Sequence, residues 1–219
     1  MPKEYPVRPV PGAIYSEADV VFLAAGGPSL RDFDWKRLET KEVIAINKSL
    51  YTCPKARVLW FSDDYFYDEH KEIIDSHGAQ YKCSAYADVY LRPYPPHIYT
   101  YKFDRMRGLQ DGFTTINHGN NGGYAAICLA AKLGAKKLVL LGYDFKYGPN
   151  GESHWHEGHF FGGKKQFHRE DALTHKMLPC FDTLKWPLIE KRVTVYNASP
   201  DSNLLVWPRI THEEALSLC

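Results

Sequence analysis

The chain has 219 residues, a formal net charge of +1 (27 Lys plus Arg against 26 Asp plus Glu) and 44% hydrophobic residues. That balance excludes a disordered chain, a collagen-like repeat and an acidic or basic tail protein. The length suits one domain around one core, and a charge near zero gives no global electrostatic reason to bind nucleic acid or a membrane.

The first twelve residues, from Met1 to Gly12, carry no apolar stretch of the kind a secretory signal has. No apolar run approaches the roughly 18 residues of a membrane span; the longest, Tyr124 to Ala131, ends at Lys132. The five cysteines, at 53, 83, 128, 180 and 219, form no CxxC and leave one over in any pairing. Reduced thiols in a cytoplasmic protein are the expectation.

In chain order, residues 1–18 read as an extended arm held open by Pro2, Pro6, Pro9 and Pro11. Asp19 to Ala25 is continuously apolar after its first residue and reads as a buried strand, as do 42–47 and 56–62. A short helix is expected from about Ser29 to Leu38, and another from Tyr65 to Ser76, ended by Gly78. Residues 80–83 and 98–102 are weaker strand candidates, while 85–97 and 103–118 look like loops. Gly122 to Leu133 is a strong helix stopped by Gly134, and 137–145 is the best strand in the chain. Residues 146–167, rich in Gly and His, read as a long loop. A helix over about 169–190, bent near Pro179 and Pro187, a strand over 193–197 and a short helix after Ser199 complete the reading. Alternating strands and helices predict an α/β, Rossmann-like three-layer sandwich with a mainly parallel sheet, as a single domain over 19–219.

In such sheets ligands bind beyond the carboxyl ends of the strands, so the residues after each strand carry the functional reading. Gly26-Gly27-Pro28-Ser29 follows the first strand. Two glycines allow close backbone approach, and Pro28 opens a helix whose free N–H groups favour a phosphate; a plain tight turn explains the same residues. Asn47 ends the second strand, and Ser62-Asp63-Asp64 the third. These could meet a ribose, a base or a metal, or simply cap the backbone. Asn117 to Gly123, including His118, Asn120, Asn121 and Gly122, opens the strongest helix, where an anion or a base edge fits and a plain N-cap fits equally. Last comes Gly142-Tyr143-Asp144-Phe145 with Lys146, then His154, His156 and His159 in HxHxxH spacing. The histidines could hold a metal, contact substrate or pack. One of His154, His168 and His175 could act as acid or base near neutral pH, and Asp144 belongs with them as a candidate catalytic group.

The stretch from Ala24 to Leu30, AAGGPSL, resembles the AGNGPSL strand-turn of the bacterial sialyltransferases of glycosyltransferase family 42. Collinear with it are Asn47, the glycine-rich turn into an alanine-rich helix, GYDF closing a strand, a His-bearing loop, and SPDSNLL near the end, similar to that family's CPNSLL. The same skeleton recurs among DUF115 and hydroxymethylpterin diphosphokinase-like proteins, many of them short and phage- or prophage-borne. Their HWHGDH-like loop is similar to His154 to His159 here. The resemblance covers roughly residues 19 to 207. It implies a nucleotide or nucleotide-sugar donor, with Asn47 at a nucleotide-binding Asn and Asn120 and Asn121 where the family has Thr-Ser. His154 and Lys146 fall near two phosphate-holding positions, and His168 or His175 near the catalytic His. Gly26 stands where the sialyltransferases have an Asn, which weakens the expectation of CMP.

The expected function is therefore transfer of a group from a nucleotide-linked donor to an acceptor hydroxyl with a His base. The donor site would comprise Gly26, Gly27, Pro28, Ser29, Asn47, Ser62, Asn120, Asn121, Gly122 and Lys146. Three other readings remain open. One is ATP-dependent pyrophosphoryl transfer to a pterin-like alcohol, with Mg²⁺ on Asp63, Asp64 or Asp144. Another is hydrolysis by a metal on His154, His156 and His159. The third is a non-catalytic phage nucleotide-binding protein, cytoplasmic in a bacterial host. The acceptor and any homo-oligomeric state are left open. Aromatic residues make up 14% of the chain; many fall in the loops at the expected ligand face, including Tyr65, Phe66, Tyr90, Trp155 and Phe160, where rings stack on a base or sugar or pack under the loops.

Overall fold

The computed structural model describes residues 7–63, 65–86, 94–104, 107–156, 160–161, 164–165 and 172–218. Asp64, Tyr90, His159, His168 and Cys219 lie outside the described residues, as does the start of the arm.

Eight strands form one sheet. In chain order they are β1 (Val20–Ala24), β2 (Glu42–Ile46), β3 (Val58–Trp60), β4 (Tyr81–Tyr86), β5 (Ile98–Asp104), β6 (Thr115–Asn117), β7 (Lys137–Leu141) and, last in the chain, Thr194–Asn197. Between those last two lies a separate antiparallel pair, β8 (Phe160–Phe161) and β9 (Lys164–Lys165), so the final strand is β10. The spatial order is β10-β7-β1-β2-β3-β4-β5-β6, and every neighbouring pair is parallel. The chain therefore runs outward from β1 to β6 on one side, then crosses back to lay β7 on the other side of β1. That reversal is the topological switch point, where the loops after two adjacent strands part and leave a crevice.

Side-chain alternation in β1 feeds two cores. Val21 and Leu23 pack on one face with Ile44, Trp60 and the helix α3 (Gly122–Lys132). Phe22 and Ala24 pack on the other with Leu30, Phe33, Leu38 and Phe61. Both faces are covered, which is why the strands read as continuous apolar runs. The expected Rossmann-like α/β fold is present. Among the described residues no helix is long and apolar enough to cross a membrane.

Several elements differ from the expectation. The helix over 29–38 is two 3-10 turns, Pro28–Leu30 and Trp35–Leu38, the second capped by Asp34. The helix over 65–76 is broken at His70 (φ −122°, ψ 19°) into α1 (Phe66–Glu69) and α2 (Lys71–Ser76). A short strand, β6, lies inside the segment read as loop, and β8 and β9 lie inside the His-bearing loop. The expected helix over 169–190 is, in its described part, a π-helical turn Leu173–Met177, a 3-10 turn Leu178–Cys180 and then α4 (Asp182–Glu190). The helix placed after Ser199 forms later, as α5 (His212–Ser217), with a Thr211/Glu214 capping box.

The arm is not a free extension. Arg8 pairs antiparallel with Thr100, Val10 is buried, and the Ile14 and Tyr15 N–H groups donate to Leu133 O at the end of α3. Gly134 sits at this junction with φ +96°, and an added Cβ would lie 2.9 Å from both Ala13 Cβ and Tyr15 O. Gly134→Ala is therefore expected to cost at least about 1–2 kcal/mol from backbone strain alone. Urea unfolding measures it, and an unchanged midpoint would contradict the left-handed backbone at Gly134.

Candidate nucleotide cleft

A cleft of about 370 Å³ lies over the carboxyl ends of β1, β2, β3 and β7, at the switch point. Of the expected site residues, Gly26, Gly27, Pro28, Asn47, Asp63, Asn120, Asn121, Gly122, Asp144, Lys146, His154 and His156 all line it. Ser29 and Ser62 stand just behind the wall. His175 is exposed and not part of the lining, although Leu173 and Met177 of the same turn are.

The floor is a joint between the loops after β1 and β7. Asp144 is 2% exposed. Its Oδ1 accepts from the Ser29 N–H (3.2 Å) and its Oδ2 from the Ser29 hydroxyl (2.9 Å). The Gly27 N–H donates to Gly142 O at 2.9 Å. An added Cβ on Gly27 would lie 1.8 Å from Asp144 Oδ2 and 2.4 Å from Gly142 O. The space beside Gly27 is thus already filled by Asp144, and a bulky residue there breaks the joint before it tests any ligand. The first task of Asp144 and Ser29 is this joint.

The segment Ser199 to Asn203 holds the same loop from below. Tyr143 N–H donates to Ser199 Oγ (2.7 Å), and Ser202 Oγ donates to Tyr143 O (2.6 Å). Asn203 N–H donates to Asp144 O (2.9 Å) and its amide to Phe145 O (3.1 Å). The SPDSNLL stretch, noticed in the sequence only for its resemblance, is the clamp on GYDF.

The His-bearing loop forms a side wall and is fastened by Trp155. Its backbone N–H donates to Gly26 O (3.0 Å), its indole N–H to Ala25 O (3.1 Å), and its ring packs on Trp35. His154 and His156, one residue either side of Trp155, both line the cleft with rings stacked 5.0 Å apart at 26°. Gly26 is small because the His154 ring lies on it: an added Cβ would be 2.7 Å from Cδ2. Ser153 Oγ lies 2.8 Å from His154 Nδ1. Among the described residues no three His, Cys, Asp or Glu side chains gather as a metal site; the third expected ligand, His159, lies outside them.

The N-terminus of α3 forms the opposite wall. Asn121 caps it, its Oδ1 accepting from Gly123 N–H (2.8 Å) and Tyr124 N–H (3.1 Å), so that oxygen is committed to the helix. Trp60 ties β3 to the same turn through Nε1 to Gly122 O (3.1 Å). Gly122 itself is uncrowded: an added Cβ would meet only Ser62 Oγ at 3.6 Å and Asn47 Nδ2 at 3.8 Å. Asn47 adopts φ +50°, its Nδ2 reaches Asp63 Oδ2 at 3.5 Å, and its Oδ1 is buried with no hydrogen-bond partner among the described residues. A buried acceptor left without a donor is costly in an empty site and suits a ligand hydroxyl or N–H.

Three titratable lining residues were not singled out from the sequence: Lys48, Glu69 and His70. Burial pushes the Lys48 amine down against the opposing charge of Glu69. Burial, then the Lys48 charge, pushes His70 down, and its Nδ1 lies 2.9 Å from Tyr51 OH. The break between α1 and α2 is what presents His70, and no local spacing signals it.

Burial raises the Asp144 carboxyl from 3.8 to about 6, against the Ser29 hydrogen bonds and the Lys146 charge. The folded protein holds this proton more tightly than the unfolded chain, so the contribution of Asp144 to stability falls as pH rises from about 4 to about 6 and is level above that. A shift of about two units at about 1.4 kcal/mol each gives roughly 2–3 kcal/mol. The stability gap between wild type and Asp144→Asn, measured by urea unfolding at intervals from pH 4 to 7, should change by that amount. Parallel pH curves would mean the carboxyl is not buried as described.

No protein-family model matches the chain, and no curated protein matches it. Among solved structures it is similar to the MAf glycosyltransferase from Magnetospirillum magneticum AMB-1, with TM-score 0.60 and 12% identity over 97% of this chain. It spans only 36% of that longer protein. It is also similar to the monofunctional alpha-2,3-sialyltransferase Cst-I from Campylobacter jejuni, with TM-score 0.59, 17% identity and coverage of 90% of this chain and 82% of that one. A variant of the sialyltransferase CST-II in complex with CMP has TM-score 0.51 and 14% identity, over 88% and 86% of the two chains. At these identities the likeness is one of fold.

Proposed function

We propose that the chain is a nucleotide-dependent transferase of glycosyltransferase type. The observation that carries this reading is the cleft at the switch point, where the uncrowded start of α3 and the orphaned Asn47 Oδ1 face the Gly26-Gly27 turn. The positive dipole end of α3 favours a phosphate, while Asn121 already holds the Gly123 and Tyr124 N–H groups. Asn47 offers an acceptor to a ribose hydroxyl or a base N–H. The solved sialyltransferase in complex with CMP is consistent with a nucleotide here.

The histidine that fits the base is His154. It lines the cleft, and Ser153 Oγ sits at its Nδ1. In the tautomer with Nδ1–H donating to Ser153, Nε2 carries the lone pair that takes the acceptor's proton. The acceptor oxygen bonds to the transferred carbon as the carbon–phosphate oxygen bond breaks, and the leaving phosphate is stabilised by Lys146 and backbone N–H groups.

Gly122 supplies the cleanest test, because its neighbours leave room for a methyl group while the cleft does not gain by one. A thermal-shift panel of CMP, UDP, GDP, ATP and nucleotide sugars should show stabilisation by one base class. Gly122→Ala should keep the unliganded melting temperature within a few degrees and weaken that ligand at least about tenfold, or roughly 1.4 kcal/mol. If no nucleotide stabilises the wild type, the reading is wrong; if Gly122→Ala binds unchanged, the nucleotide lies elsewhere.

A further inference from the structure

The turn after β2 is anchored from within the protein. Ser49 is fully buried, and its hydroxyl donates to Ala25 O at 3.0 Å, tying the turn to the end of β1. Asn47 opens this turn in the left-handed region (φ +50°), which Asn tolerates. Its Nδ2 reaches Asp63 Oδ2 at 3.5 Å, and its Oδ1 is buried with no hydrogen-bond partner among the described residues. Turning the amide over would set its oxygen against the carboxylate, acceptor to acceptor, and leave a buried NH₂ unpaired instead. The orphan is thus an acceptor. It stands within about 6 Å of a second acceptor, the Asp63 carboxylate, because Nδ2 and Oδ1 share one carbon.

A group that donates twice over a short span satisfies both acceptors. Two hydroxyls on adjacent carbons do so, because each O–H rotates to meet its own acceptor. Most base edges do not: cytosine, adenine and uracil set an acceptor next to each N–H, and only guanine presents two donors side by side. An acidic residue beyond a strand end takes a ribose hydroxyl in the same manner in dinucleotide-binding sheets. Both Asn47 and Asp63 line the cleft, and the space beside them is open. A Gly122 Cβ placed in it would meet only Ser62 Oγ at 3.6 Å and Asn47 Nδ2 at 3.8 Å.

We infer that Asn47 and Asp63 are a diol-recognising pair: Asn47 Oδ1 and the Asp63 carboxylate accept from two vicinal hydroxyls of the donor, on its ribose or on the sugar it transfers. This rests on the transferase reading and adds to it the chemical group that this end of the cleft selects. A ligand without the hydroxyl pair leaves Asn47 Oδ1 buried and unmet, which is what makes the selection strong.

Isothermal titration at fixed pH and salt tests it in two arms. The first compares CMP, UMP, GMP and AMP with their 2′-deoxy and 3′-deoxy counterparts. The second compares CMP-N-acetylneuraminate, UDP-glucose, GDP-mannose and ADP-glucose, each with its nucleotide lacking the sugar. For the base that binds, one arm should show a gap of at least about tenfold. A gap in the first arm places the pair on the ribose, and a gap in the second alone places it on the transferred sugar. In Asp63→Ala, and in Asn47→Gly, which keeps the positive φ, that gap should shrink to within about threefold. No gap in either arm, or a gap that survives in either variant, overturns the inference and leaves the transferase reading standing. So do guanine nucleotides that bind alike with ribose or deoxyribose and weaken equally in both variants, because a base edge then occupies the pair. If no nucleotide binds, the transferase reading falls and the inference with it. Circular dichroism separates a misfolded variant from an altered site, and Asp63→Ser or Asn47→Ser takes the place of one that does not fold.

Discussion

A buried carboxyl joins the two halves of this fold. Asp144 comes from the loop after β7 and Ser29 from the turn after β1, and these strands are neighbours only because the chain reverses direction between them. A carboxylate out of water must be satisfied: burial raises its pKa, and its two Ser29 hydrogen bonds work against that rise. Gly27 follows from this, since any side chain there would occupy the space of Asp144. So does the clamp from Ser199 to Asn203, which holds the backbone that carries Asp144. A ligand cleft at a switch point needs two loops that part without drifting, and this joint sets their separation.

The other walls are fixed by similar devices. The His-bearing loop is fastened to the turn after β1 by Trp155, whose two donors meet the Ala25 and Gly26 carbonyls, and by the Arg31–Glu152 ion pair (3.1 Å). His154 and His156, one on either side of the tryptophan, both line the cleft. Asn121 fixes the α3 start, and Trp60 braces the same turn from the sheet.

The parallel sheet was legible because both of its faces are buried, so β1, β2, β3 and β7 appear as apolar runs bounded by turn residues. α3 was legible because eight of its eleven residues are buried between two glycine-containing ends. The turn residues at strand ends led to most of the cleft by topology alone. What escaped the sequence depends on tertiary contact. β6 is three residues long and is a strand only because β5 pairs with it. The break at His70 has no glycine or proline to announce it, yet it brings His70 into the lining. Glycines 26 and 27 suggested close approach of a ligand, whereas the neighbours they make room for are His154 and Asp144. Local sequence reports that a backbone must be approached closely, but not by what.

Backbone strain gathers in the same place. Of the five non-glycine residues with positive φ among those described, Asn47, Asn120 and Phe145 line the cleft. Asn tolerates that conformation, but a bulky residue such as Phe145 holds it only where surrounding contacts over-determine it. Those contacts are present: Asn203 donates to its carbonyl, and its ring packs edge-on against Phe181 at 5.0 Å. A turn held from both sides resists relaxing, so Lys146, the next residue, is presented from a fixed backbone. The clamp from Ser199 to Asn203 thus acts on the cleft through the geometry of this one turn.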